Sequence, residues 1–238
     1  MVYIDGFEHK PNIFFTSDTH FSQERTLELS KRPFKNVEEM DNVIIDNWNS
    51  VVKPNDIVYH LGDFGNVEIC KKLHGNIKLI LGNYEFDIDK LQYFMYSYDN
   101  EINFTPLSYE PFTDDTYKNK LLFDEFKNKM IEFGFNNVLI NNIDNLIKPI
   151  RFPSSEFSDL GVKCLGMAHL PSEIRKAVED PNDPIDFGLF GHIHRSQMVR
   201  RYGINVGIDC NNYFPMSLKD VKFFINAIKN HYDNEVFE

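Results

Sequence analysis

Five short apolar runs in this chain each lead, within a few residues, to a side chain able to bind a metal ion. Ile13-Phe14-Phe15 precedes Asp18 and His20, Ile57 to Leu61 precedes Asp63, and Ile77 to Leu81 precedes Asn83. Val162 to Met167 precedes His169, and Phe187-Gly188-Leu189-Phe190 precedes His192 and His194. Runs this short, rich in β-branched and aromatic residues, suit buried strands better than helices. Strands that each hand a polar residue to the loop beyond them gather those residues at one edge of a sheet, where open α/β folds build their sites. Two carboxylates, one amide and four imidazoles exceed the needs of one divalent ion. The set fits two ions sharing a carboxylate, and its mixed nitrogen and oxygen donors favour manganese, with iron, zinc or nickel as alternatives.

The stretches between the runs carry helical signals. Residues 22–29 read as a short helix with Ser22 as N-cap. Val37, Met40, Val43, Ile44, Trp48 and Val51 recur at helical spacing until Pro54, and residues 67–74 form a further helix stopped by Gly75. This is a β-α-β rhythm, in which helices cover a largely parallel sheet. Residues 86–160 interrupt it with aromatic, Asn-rich sequence and four prolines, Pro106, Pro111, Pro149 and Pro153. Within them, 120–133 is an amphipathic helix closed by Gly134, and 138–140 is a strand. The expectation is one domain over 1–238 with an insertion at about 86–160 bordering the site. After the fifth run, 198–201 and 204–208 read as a hairpin turning at Gly203, and 218–229 as a closing helix capped by Ser217.

Composition narrows the function classes. At 238 residues, 42% hydrophobic and 14% aromatic, the chain can bury one substantial α/β core. A formal charge of −11 disfavours sequence-independent binding to nucleic acid, which needs a basic surface. It leaves a phosphate substrate open, because bound cations supply positive charge locally. Cys70, Cys164 and Cys210 form no CxxC pair and read as reduced thiols, with Cys164 placed in an apolar strand. The N-terminus lacks the pattern of a signal peptide, and no run approaches the ~20 apolar residues of a membrane span, so the expected location is the cytoplasm.

Asp18-Thr19-His20, Gly62-Asp63, Gly82-Asn83, His169 and Gly191-His192-Ile193-His194 occur in an order that resembles the calcineurin-like metallophosphoesterase superfamily. Arg32-Pro33-Phe34, Asn47-Trp48-Asn49 and Asn205-Val206-Gly207-Ile208-Asp209 look like its small bacterial and phage branch. The resemblance runs from Ile13 to about Leu218. It implies a four-layer α/β/β/α sandwich and a division of ligands in which Asp18, His20 and His194 hold one metal, Asn83, His169 and His192 the other, and Asp63 bridges them. It also implies hydrolysis of a small or nucleotide-type phosphate ester, by phosphodiesterase or phosphatase action, through a hydroxide shared by the two ions.

One position departs from the family. Tyr84 stands where its members usually have His beside the leaving group, and a phenol of pKa ~10 donates a proton less readily at neutral pH than imidazolium. Tyr84 and Asn83 are therefore the catalytic candidates apart from the metals. Arg195, next to His194, and Arg32 are the candidate phosphate contacts. His60 lies inside an apolar strand and reads as a core residue or a support for the ligands. Two further readings compete: a scaffold that keeps the fold without turnover, for which Tyr84 speaks, and a nuclease of the same superfamily, which the acidic charge does not favour. A protein phosphatase of the calcineurin type fits less well, because Gly62-Asp63 continues as Phe64-Gly65-Asn66.

Overall fold

The computed structural model describes residues 10–82, 116–139, 149–152, 154–182 and 184–237. Strands β1 (Ile13–Thr16), β2 (Ile57–His60), β3 (Asn76–Ile80), β4 (Asn137–Leu139) and the short β10 (Met216–Ser217) form one five-stranded sheet in the order β10-β1-β2-β3-β4. The contacts from β1 to β4 are parallel, and β10 closes the edge antiparallel to β1. The second sheet runs β5-β6-β7-β9-β8, from β5 (Ile150–Phe152), β6 (Leu165–Met167), β7 (Phe187–Phe190), β8 (Val199–Arg200) and β9 (Gly203–Asn205). Its centre, β6-β7-β9, is parallel and both edges are antiparallel. The α/β class is as expected.

Alternation along the strands sorts side chains into separate cores. Phe14 and Val58 face a cluster with Met40, Ile44 and Trp48 of helix α2 (Val37–Val51) and with Phe126 and Met130 of α3 (Thr116–Glu132). Phe15 and Ile80 point the other way, into a cluster with Leu165, Met167, Phe187 and Leu189 of the second sheet. Beyond that sheet, Ile174 of α4 (Pro171–Glu179) packs on Phe190. A Cβ at Gly188 would lie 2.2 Å from Ile174 Cγ2, so this strand reads Phe-Gly-Leu-Phe to admit the helix. Helix α5 (Leu218–Asn230) adds Val221, Ile225 and Ile228 to the cluster shared by the sheets.

Local chemistry explains most boundaries. Asn36 caps α2 by accepting from Glu39 N, and Ser217 with Asp220 forms a reciprocal capping box on α5. Gly134, at φ +108°, ends α3: its N–H reaches Ile131 O, and Phe135 N reaches Met130 O, satisfying carbonyls the helix end would orphan.

Several expectations need correction. Ser22 does not cap a helix; it has φ +60° and is gripped by the Asp41 carboxylate, while α1 (Arg25–Leu29) starts after Glu24. Residues Val67–Lys72 form a 3-10 helix instead of an α-helix. Gly203 is the first residue of β9, and the hairpin turns at Arg201 and Tyr202. Cys164 precedes β6 and is half-buried, with Arg151 Nη1 donating to its sulfur at 2.7 Å. Within 86–160, β4 pairs in parallel with β3 and α3 packs on the cluster of the first sheet. Residues 86–115 and 140–148 lie outside the described residues. No described helix is long and apolar enough to cross a membrane.

Candidate metal centre

The parallel ladder of β1 and β2 does not stop at the strand ends. Leu61 N donates to Thr16 O, Asp18 N to Gly62 O, His20 N to Asp63 O and Phe21 N to Phe64 O, which keeps the two following loops side by side. In the second sheet, Gly191 N donates to His169 O, and Ile208 N reaches across to Ser17 O. His192 N donates to both oxygens of Asp18, at 3.0 and 2.9 Å, and so joins the loops after β6 and β7 to those after β1, β2 and β9 in one cluster.

Within it the side chains form two groups, Asp18-His20-His194 and Asp63-His169-His192, each with ligand atoms within 4.8 Å of one another. Six of the seven expected ligands are therefore brought together; Asn83 and Tyr84 lie outside the described residues. Asp63 Oδ2 stands between the groups, 3.3 Å from His169 Nε2 and 3.6 Å from His20 Nε2. Asp18, His20, Asp63 and His169 are buried, and each group presents its remaining ring, His194 or His192, toward solvent.

The backbone carries a second signature. Asp18, His20, Asp63, His192 and His194 all have φ between +47° and +72°. That left-handed conformation is costly for residues bearing a Cβ and collects at functional sites, where the surroundings over-determine it. Here the surroundings are close: a Cβ on Gly191 would meet Asp18 Oδ2 at 2.4 Å, and one on Gly62 would meet Gly82 N at 2.3 Å.

Hydrogen bonds fix which ring nitrogens face the centre. His169 Nδ1 lies 2.8 Å from the carbonyl of Leu61, so Nδ1 carries the proton and Nε2 the lone pair. His20 Nδ1 meets Gln23 Oε1 at 2.7 Å, and His194 Nδ1 meets Asp209 Oδ2 at 2.8 Å with Ser30 Oγ at 2.9 Å. Burial would raise the Asp209 carboxyl, but hydrogen bonds from His194 and Arg32 outweigh it and hold it down at about 2. Desolvation lowers His20 against the pull of Asp18 and Asp63, and lowers His192 with help from His169. Neutral imidazoles with lone pairs turned inward are the form that ligates metal. Three tied rings, an inward carboxylate between two groups and mixed donors therefore fit a pair of divalent ions.

The two arginines part company. Arg32 is buried: Nε and Nη2 donate to both oxygens of Asp209, Nη1 to Thr19 O and Met40 Sδ, and Nη2 also to Asp18 O at 2.6 Å. All five guanidinium N–H groups are occupied, so Arg32 has none to offer a phosphate, and the expectation of a substrate contact is corrected to a role in the protein interior. Arg195 is exposed, with Nη2 2.9 Å from Tyr213 Oη. His60 is fully buried, with Nε2 3.0 Å from Thr19 Oγ1, itself a donor to Phe64 O. It supports the loop between Asp18 and His20 from below, and desolvation lowers its pKa to about 3.

Ser30 and Ser17 escape a reading by motif, and Asp209 ends the Asn205–Asp209 segment singled out by resemblance, which assigned it no role. Ser17 Oγ donates to Asp18 Oδ2 at 2.5 Å. Asp209 follows β9 as the ligands follow their strands, so the strand-end rule extended to the last strand of the sheet would have found it. Buried Asn205 holds this region by donating to His194 O and Gln197 O while accepting from Gly207 N.

No protein-family model matches the chain. An uncharacterized protein of Methanocaldococcus jannaschii is 42% identical over 81 residues, covering 31% of this chain and 46% of that protein. The gene 66 protein of Mycobacterium phage L5 is 34% identical over 83 residues, 31% of this chain and 40% of that one. The matched part is thus less than half the length of these curated relatives. A solved protein of unknown function from Aquifex aeolicus superposes with a TM-score of 0.54 at 21% identity, over 90% of this chain and all of that one, a likeness of fold alone.

Proposed function

We propose that this chain is a dinuclear, metal-dependent phosphoesterase acting on a small or nucleotide-type phosphate ester. The observation that carries the reading is Asp63 Oδ2, standing between two His/Asp groups with an imidazole Nε2 of each within 3.6 Å. Two divalent ions, manganese first, would supply a hydroxide nucleophile at neutral pH and neutralise the phosphoryl oxygens. Asp18, His20 and His194 would hold one, and His169 and His192 with Asn83 the other. Asp63 offers one carboxylate to both. The neutral amide of Asn83 adds no negative charge to its side of the centre. Cores on both faces of each sheet support the four-layer sandwich of this superfamily.

The remaining residues bind and orient. Arg195, exposed beside His194 and held on Tyr213, is the candidate phosphate contact. Tyr84 stands in sequence where the resembled superfamily has the His beside the leaving group; a phenol in that role would favour esters whose leaving oxygen needs little protonation, such as aryl or nucleotide esters. The test combines metal analysis of purified protein with hydrolysis of bis-p-nitrophenyl phosphate under added Mn²⁺. We expect two ions per chain, and turnover that falls on the order of a thousandfold in Asp63→Asn and falls steeply in His192→Ala. No hydrolysis of mono-, di- or cyclic phosphate esters with Mn, Ni, Co, Zn or Fe would reject the enzyme in favour of a scaffold.

A further inference from the structure

We infer that Arg32 and Asp209 are a positioning pair that builds the Asp18-His20-His194 cation site and acts far less on the Asp63-His169-His192 site, which it meets through Asp18, whose carboxylate accepts from His192 N at 2.9 and 3.0 Å. The inference rests on the dinuclear reading above. Both side chains are fully buried at their contact, where the guanidinium forks onto the carboxylate through Nε at 2.9 Å and Nη2 at 2.8 Å. Such planar, two-point pairing fixes direction as well as distance. Each partner then reaches a different ligand loop. Asp209 Oδ2 takes His194 Nδ1 at 2.8 Å, aiming Nε2 inward. Arg32 holds the carbonyls of Asp18 and Thr19 at 2.6 and 2.8 Å, in the turn where Asp18 and His20 sit at positive φ. One ion pair thus sets the ring of one ligand and the backbone that aims the other two. His169 has a separate anchor on the Leu61 carbonyl, at the end of β2.

A pair that only stabilised the fold would weaken both sites alike; a positioning pair weakens chiefly one. After chelator treatment, wild type, Asp209→Asn and the double variant Arg32→Met/Asp209→Leu are titrated with Mn²⁺ by calorimetry, with electron paramagnetic resonance of the bound ions. The double variant removes both charges together, so neither is stranded in the interior. Wild type should take two ions, and each variant one with near-wild-type affinity and a second about 10–100-fold more weakly. The coupled signal of an ion pair should give way to that of an isolated ion. Two ions at wild-type affinity, equal weakening at both sites, or loss of cooperative melting in both variants would overturn the pair's positioning role. Fewer than two ions in wild type would overturn the dinuclear reading itself.

Discussion

The two halves of the centre are held by different means. In the Asp18 group, side chains do the aiming: Gln23 holds His20, Asp209 and Ser30 hold His194, and Ser17 donates to Asp18. In the Asp63 group, main chain does much of it. His169 rests on the Leu61 carbonyl, and Asp63 follows Gly62, whose φ of +94° brings its backbone against Gly82. A site aimed by side chains can be retuned by single substitutions that leave the sheet alone. A site aimed by backbone changes only with the strand ends that carry it.

Asp63 belongs to both halves, so its substitution should have the largest effect. Asp63→Asn removes the charge offered to each ion, and we expect hydrolysis to fall on the order of a thousandfold, equivalent to about 4 kcal/mol of barrier. Steady-state kinetics at saturating Mn²⁺ check it; a fall of less than tenfold would mean that the two groups work without a shared carboxylate. Gly62→Ala strikes the backbone-built half first. Its Cβ would lie 2.3 Å from Gly82 N and 3.0 Å from His169 Nδ1 at a φ that disfavours a side chain. We expect about 3 kcal/mol of destabilisation, from overpacking and strain together, in urea unfolding. Wild-type stability in this variant would show that the second half tolerates movement after all.

How much of this could be read from the sequence differs from element to element. The gathering of Asp and His beyond strand ends was legible from five such runs in order, since a lone Asp there is more often a turn or N-cap residue, and α2 was legible from its helical spacing up to Pro54, though its cap Asn36 went unread. Ser22 misled because a Ser before a helical pattern has the chemistry of an N-cap, while Asp41, nineteen positions on, claims it through a contact made only in three dimensions. Arg32 misled similarly: a conspicuous arginine near a candidate metal centre invites a ligand role, and only the fold reveals that Asp209, 177 positions away, neutralises it. Gly203 read as a turn, although it lies inside β9, where a Cβ would strike the carbonyl of Gly188 at 2.6 Å. Distance along the chain does not separate the two halves: Gln23 holds His20 from three positions away, whereas Leu61 holds His169 from 108.

His60 lies under the first half without ligating anything, and it gives that half a pH dependence. Its folded pKa is depressed to about 3 from an ordinary 6.5, so the unfolded chain binds a proton that the native state refuses. Stability is therefore full above pH 6.5 and falls as the pH drops toward 3; linkage gives a loss of about 2 kcal/mol by pH 5 from this residue alone. His60→Leu should flatten the fall by that amount in chemical denaturation at pH 8 and pH 5. Thr19 Oγ1 would still donate to Phe64 O, so no buried donor is stranded. An unchanged pH dependence would place the acid sensitivity elsewhere, with His20 and His192, whose shifts have the same sign.

The finest probe of the comparison is Ser30. Its hydroxyl and the Asp209 carboxylate meet the same nitrogen, His194 Nδ1, at 2.9 and 2.8 Å. Asp209 is charged and anchored by Arg32; Ser30 is neutral and buried behind the ring. If the carboxylate sets the ring's direction and the hydroxyl only steadies it, Ser30→Ala should weaken Mn²⁺ binding at the first site by less than about tenfold, below the usual range for a partner of a ligating histidine, and leave the second site untouched. Calorimetric titration resolves the two steps. A loss as large as that in Asp209→Asn would mean that the imidazole is held by both partners jointly, and that the first half is aimed by a network of which the ion pair is only one member.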